Sequence, residues 1–218
     1  MTKGIFVTAV GTDVGKTYVS ALLCKELKER GCAVNYWKPA LSGASIPPRD
    51  DVFVKDRAVL NDENITVSYV FAEGVSPHLA AARSGVTMTL EKMRSDLEIV
   101  KNSCDFVVAE GCGGIICPLS LGGDPLMLVN VMKMAAMELI IVTESGLGSI
   151  NSAALTVSYG KNMGLSIKGM IMNRYDETNF MHCDNRRVIE ALTGLPVLAT
   201  VAPHGDRLQW SCRTPFPW

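Results

Sequence analysis

Gly15-Lys16-Thr17 closes the segment Ala9-Val-Gly-Thr-Asp-Val-Gly-Lys-Thr17. A lysine between a glycine and a hydroxyl side chain can hold a phosphate chain. Backbone N–H groups at a helix start carry partial positive charge and can wrap an anion. Gly15 lets the backbone come close, Lys16 reaches the outer phosphates, and Thr17 offers its hydroxyl to Mg²⁺. The ending is that of a Walker A loop. The spacing differs: Val10 stands five residues before Gly15, where the standard pattern has glycine, with Gly11 one late and Ala9 one early. The competing reading is a chance Gly-Lys-Thr at a helix start.

A phosphate-bound Mg²⁺ needs hard oxygen ligands from nearby carboxylates. Glu110 ends the apolar run Phe106–Ala109 and precedes Gly111-Cys-Gly-Gly114, so it falls where a strand's carboxyl end meets a ligand crevice. Asp50 and Asp51 are further candidates; alone, each reads as a solvated loop acid. Lys38, fixed between a strand end and Pro39, is unlike a solvated-face lysine. His182-Cys183 lacks a third ligand at useful spacing and reads as surface. Cys112 and Cys117 flank Gly-Gly-Ile-Ile and read as small buried thiols, not a redox pair.

These groups need a scaffold, and the hydrophobic periodicity supplies one. Strands are expected over 5–8, 33–37, 105–110, 139–143, 167–173 and 197–201. Helices are expected over 16–30, 89–103, 125–136, 149–163 and 184–192, with a shorter one near 52–60 in an otherwise irregular 42–65. Apolar strands joined by helices imply parallel pairing with both faces covered, hence one three-layer α/β/α domain over 1–218. The 218 residues are 48% hydrophobic and 20% charged, as in ordinary globular chains, which excludes disorder as the main state. A net charge of −1 provides no basic surplus for a sequence-independent nucleic-acid grip. Seven cysteines, an odd number without a CxxC pair, fit a reducing, cytoplasmic setting. No signal peptide or membrane-spanning run is expected.

The motifs occur together and in order. They are Thr12-Asp-Val-Gly-Lys-Thr17, Lys38-Pro39 with Ser42-Gly43, Asp51, Ser76-Pro77-His78, Ala109-Glu-Gly-Cys-Gly-Gly114 with Pro118-Leu119, Gly146-Leu-Gly-Ser-Ile-Asn151, and Asn173. Across residues 4–203 the chain resembles dethiobiotin synthetase, a family of P-loop NTPase-type fold whose phosphate loop also carries one extra residue. The resemblance implies that ATP drives carboxylation and ring closure of 7,8-diaminopelargonic acid with CO₂, through a carbamate and a carbamic–phosphoric anhydride. It implies Lys16 and Lys38 as catalytic cations and Thr17, Asp51 and Glu110 as Mg²⁺ ligands. Nucleotide contacts are expected at Asp13, Val14, Gly15, Lys16, Thr17, Tyr18, Asp51, Glu110, Gly111, Cys112, Gly113, Asn173, Arg174, Ala202, Pro203 and His204. Substrate contacts are expected at Thr12, Ser42, Gly148, Ser149, Ile150 and Asn151. The last four belong to a Gly-rich loop opening a helix, a carboxylate trap that the family takes from the partner of a homodimer.

Several positions depart from the family pattern. Ala9 replaces a usual glycine, Gly11 a common aspartate, and Ser152 a common histidine. Glu144 is acidic where basic or neutral residues are frequent, so its side chain is expected to point away from the substrate's acid tail. His78 is taken as structural. Residues 208–218 match nothing in the family and are expected to be a packed or mobile terminus, not a lid. The alternative function is a partitioning or septum-placement ATPase switch. Such proteins carry a second, early lysine in the phosphate loop, where this chain has Ala9, Val10 and Gly11. Cobalamin-type amidotransferase synthetases need a glutaminase domain, for which the sequence leaves no room.

Overall fold

The protein is described by a computed structural model covering residues 3–121 and 124–211. The strand β1 (Lys3–Ala9) leads through the phosphate loop into α1 (Lys16–Glu29) and then β2 (Val34–Lys38). α2 (Asp50–Ala58), a 3₁₀ turn at 62–64, β3 (Ile65–Val67) and α3 (Pro77–Arg83) follow. Next come α4 (Leu90–Asn102), β4 (Phe106–Glu110), a small hairpin of β5 (Pro118–Ser120) and β6 (Leu126–Met127), and α5 (Leu128–Ala135). The last part holds β7 (Glu138–Glu144), α6 (Ser149–Asn162), β8 (Ile167–Asn173), α7 (Phe180–Thr193), β9 (Val197–Thr200) and β10 (Gln209–Trp210).

Eight strands form one sheet in the order β10-β9-β8-β7-β1-β4-β2-β3. Every pair is parallel except β9–β10 at the edge. The strands are apolar along most of their length because both faces are covered. Side-chain alternation sorts the faces. Ile5, Val7 and Ala9 pack with α1 and α2, while Phe6 turns to the opposite face with α4 and α5. Ile141, Met170 and Met172 meet α6 and α7 on that second face. Three layers result, and the structure has the P-loop NTPase-type architecture.

Local chemistry explains the elements. Thr89 caps α4 by accepting a hydrogen bond from the Lys92 amide, and Met93, Leu97 and Val100 form its buried stripe. Each such side chain contributes about 1.5–3 kcal/mol on burial. The expected helix from 125 begins only at Leu128, because Leu126–Met127 pairs antiparallel with Pro118–Ser120. Residues 42–65 contain α2 and the 3₁₀ turn and end at the first residue of β3, and 77–83 form a helix that apolar periodicity did not announce. The terminus packs as far as Ser211: Trp210 lies in β10, and its indole donates to both Glu26 carboxylate oxygens at 2.9 and 2.8 Å. Residues 212–218 of the expected tail lie outside the described residues. Among the described residues, no helix is long and apolar enough to cross a membrane.

Candidate active site

The candidate residues gather at the carboxyl ends of β1, β2, β4, β7, β8 and β9, the edge where ligands bind in open parallel sheets. β1 lies between β4 and β7, so the phosphate loop emerges with Glu110 on one side and the β7–α6 loop on the other.

Gly15 caps α1 in the left-handed region at φ +96°. A Cβ there would lie 2.0 Å from Asn173 Nδ2, so only glycine fits. Asn173, at the end of β8, donates to the Val14 carbonyl at 3.0 Å and supports the loop from behind. Arg174 donates to the Asp13 carbonyl at 3.1 Å and to Glu144 at 2.6 Å. Both Asp13 and Arg174 adopt positive φ. Lys16 is buried and donates to the Gly11 carbonyl at 2.9 Å. Burial lowers its pKa, against the opposing pull of Glu110.

Beside this loop lies a charge cluster, buried at Lys38 and Glu110 and half-exposed at Asp50. Lys38 Nζ donates to Glu110 Oε1 at 2.5 Å and pairs with Asp50 Oδ2 at 2.9 Å. Thr17 donates to the same Glu110 oxygen at 2.9 Å, and the Tyr36 hydroxyl donates to Glu110 Oε2 at 3.0 Å. Burial alone would lower the Lys38 pKa; the Glu110 and Asp50 carboxylates outweigh it and hold the ammonium above the ordinary lysine value. Asp50 likewise stays below the usual carboxylate range, because Lys38 overcomes the cost of its burial. This cluster pairs hard oxygen donors with a cation already between two carboxylates, a donor set that suits Mg²⁺.

The two neighbouring aspartates have different partners: Arg49 holds the Asp51 carboxylate at 3.1 and 2.6 Å, whereas Asp50 pairs with Lys38. Asp50 and Asp51 open α2, where successive side chains point about 100° apart, and Asp50 is the one directed at Lys38.

Gly111, Cys112 and Gly113 continue from Glu110 around a tight turn, with Gly113 at φ +64°. The two thiols of this turn are shifted in opposite directions. The Cys117 contact, then burial, raises Cys112, while its bond with Cys112 lowers Cys117. Ala202, Pro203 and His204 form a turn closed by the Gly205 amide on the Ala202 carbonyl at 2.8 Å. Tyr18 ties that turn to α1 by donating to the Gly205 carbonyl at 2.6 Å, and Arg57 lies 5.0 Å from the Tyr18 ring centroid. Thr12 is exposed on the phosphate loop, and Ser42 is half-buried beyond β2, so both sit at the same sheet end.

Across the sheet, Gly148 caps α6 at φ +92°, Leu147 is 94% exposed, and the buried Ser149 hydroxyl has no partner. Ile150 is half-buried and Asn151 exposed on the same first turn. Ser152 donates back to the Gly148 and Ser149 carbonyls at 3.1 and 3.2 Å. Glu144, paired with Arg174, is partly neutralised at its strand end. His78 opens the short helix α3, with its Nδ1 buried. His182 accepts from the Asp176 amide at 3.0 Å, and Cys183 accepts from the Tyr175 hydroxyl at 3.5 Å.

Sequence reasoning missed Tyr36 and Asn185. Tyr36 was legible as the residue two before Lys38, hence on the same face of β2. Asn185, which donates to the Ser145 and Gly146 carbonyls at 2.8 and 3.0 Å, carried no such signal, because α7 approaches that loop only in three dimensions.

The chain matches the family described as "AAA domain" over residues 3–210. It is similar to a Clostridium botulinum (strain 657 / Type Ba4) protein named ATP-dependent dethiobiotin synthetase BioD. The identity is 41% over 203 residues, covering 90% of this chain and 89% of that protein. A Clostridium perfringens (strain 13 / Type A) protein of the same name is 38% identical over 207 residues, covering 92% and 91%. Among solved structures, the septum site-determining protein MinD with Mg-ADP from Pyrococcus horikoshii OT3 superposes with a TM-score of 0.57. It covers 93% of this chain and 82% of that one at 19% identity, a likeness of fold alone. Identity near two in five along nine-tenths of both chains, over a phosphate loop backed by Lys38 and Glu110, makes this chain a member of the ATP-dependent dethiobiotin synthetase family and an ATP-dependent ligase.

Proposed function

We propose that this chain makes dethiobiotin by converting 7,8-diaminopelargonic acid, CO₂ and ATP through a carbamate and a carbamic–phosphoric anhydride. One amine adds to CO₂ and loses a proton, forming the carbamate. A carbamate oxygen then attacks the γ-phosphorus, and ADP leaves. The second amine attacks the activated carbonyl carbon, phosphate departs, and the cyclic urea closes. Negative charge builds on oxygens at each phosphoryl step, so fixed cations are the main assistance a protein can give. Lys38 carries this reading: it is buried, held charged, and placed beside the phosphate loop. Lys16 is the second cation. Thr17, Glu110 and Asp50 would hold Mg²⁺, with Asp50 taking the place expected for Asp51. When bound, that ion neutralises phosphate oxygens.

Asn173, Arg174 and the turn Ala202–Pro203–His204 are the proposed base-side contacts, with Asp13 to Tyr18 and Gly111 to Gly113 around the phosphates. Thr12 and Ser42 would contact the diamine end of the substrate. We take the carboxylate tail to be received by Gly148, Ser149, Ile150 and Asn151 of a second copy in a homodimer. Supporting this are the α6 N-terminus, which no side chain caps, the unpartnered Ser149 hydroxyl and the exposed Leu147.

Phosphate release from MgATP tests the proposal. Release that requires both diaminopelargonate and bicarbonate, with ADP formed in equal amount, is the expected result. Turnover that ignores both and responds to DNA, lipid or another protein would overturn it. Sedimentation of the purified chain at micromolar concentration tests the dimer; a monomer throughout that range counts against it.

A further inference from the structure

Glu110 is fully buried, yet its two carboxylate oxygens have different partners. Oε1 accepts from Lys38 and Thr17, whereas Oε2 accepts from Tyr36. The terminal torsion of a glutamate is broad, so nothing in the side chain itself fixes the plane of its carboxylate. A donor held on one oxygen restricts that plane and so the direction in which the other oxygen presents its lone pairs. Tyr36 is such a donor: it is fully buried in β2, which pairs directly with β4, Tyr36 lying opposite Val108. Alternation places Tyr36 and Lys38 on the same face of β2, and Val108 and Glu110 on the same face of β4.

We propose that Tyr36 is a positioning residue that holds Oε2 of Glu110, leaving Oε1 directed to Thr17 and to a divalent cation. The proposal rests on Glu110 being a metal ligand, as argued above. Hydrogen-bonding partners of metal-ligating groups fix ligand orientation, and their loss weakens metal binding by about tenfold or more.

The test uses Mn²⁺ as the probe, its free signal followed by electron paramagnetic resonance in the full chain with saturating ADP. Tyr36→Phe removes only the hydroxyl. The expected result is Mn²⁺ binding weakened about tenfold, with metal-free ADP affinity unchanged. A hydroxyl that merely fills the core would lower the melting temperature and leave the Mn²⁺ affinity of the folded protein untouched; that result overturns the proposal. Glu110→Gln separates the two levels. If Glu110→Gln weakens Mn²⁺ and Tyr36→Phe does not, the positioning role fails while the metal reading stands. If Glu110→Gln also binds Mn²⁺ normally, the metal reading fails and the proposal falls with it. Should Tyr36→Phe not fold, Tyr36→Met, similar in length and unable to donate, is read on the same two arms.

Discussion

Lys38 Nζ and Glu110 Oε1 lie 2.5 Å apart, a lysine from the second strand against a glutamate from the fourth, both inside the protein. Neither charge is tolerable there alone. Lys38→Met should therefore abolish phosphate release and destabilise the fold by about 3–5 kcal/mol, the typical result of stranding a buried charge. Denaturant unfolding together with kcat checks both; a stable, active variant would remove Lys38 from its proposed role.

The two neighbouring aspartates give a discriminating pair. Asp50→Asn should raise the Mg²⁺ concentration needed for half-maximal turnover several-fold, since Asp50 faces Lys38. Asp51→Asn should leave that titration near normal, because its carboxylate is spent on Arg49. The reverse outcome would restore Asp51 to the metal set.

Lys16 sets an expectation for pH. Its ammonium must be charged to attract phosphate, and burial lowers its pKa from the ordinary 10.5. Raising pH neutralises it, so kcat/KM should fall on the alkaline side at a pH below that value. Lys16→Ala should lose turnover altogether, and Lys16→Arg should lose this alkaline limb because a guanidinium stays charged. A limb at or above the ordinary lysine value would contradict the burial effect.

Gly15→Ala should cripple nucleotide binding, because the added methyl meets Asn173 at 2.0 Å and the residue must also hold φ +96°. The backbone part alone costs about 1–2 kcal/mol. Combining it with Asn173→Ala should recover stability, as the steric part disappears while the backbone part remains. Melting temperatures of the two single variants and the double variant measure this coupling.

Trp210→Ala should lower stability by about 1–3 kcal/mol with kcat little changed, since the indole anchors the sheet edge to Glu26. A large fall in kcat at unchanged stability would revive a lid role for the terminus.

The sequence made the long elements legible because their apolar periods are strong: Met93, Leu97 and Val100 announce α4 by themselves. It hid the short pieces. β3, α3, β6 and β10 exist through their neighbours, each too brief to show a period of its own. The site divides in the same way. Lys16, Thr17, Lys38 and Glu110 could be read from motifs at strand ends. That Asp50, and not Asp51, pairs with Lys38 depends on the rotation of a helix start, which adjacent residues of the same type cannot reveal. Tyr36 was visible as a β-strand aromatic, and only the pairing of β2 with β4 gives its hydroxyl a partner.

The interlock of Gly15 with Asn173 has a consequence for re-engineering. The residue proposed to face the nucleobase also braces the Val14 carbonyl and fills the space a Cβ would need at position 15. Altering position 173 to accept another base would therefore also loosen the grip on the phosphates, so a library that varies 173 while holding the phosphate loop constant would confuse lost affinity with changed preference.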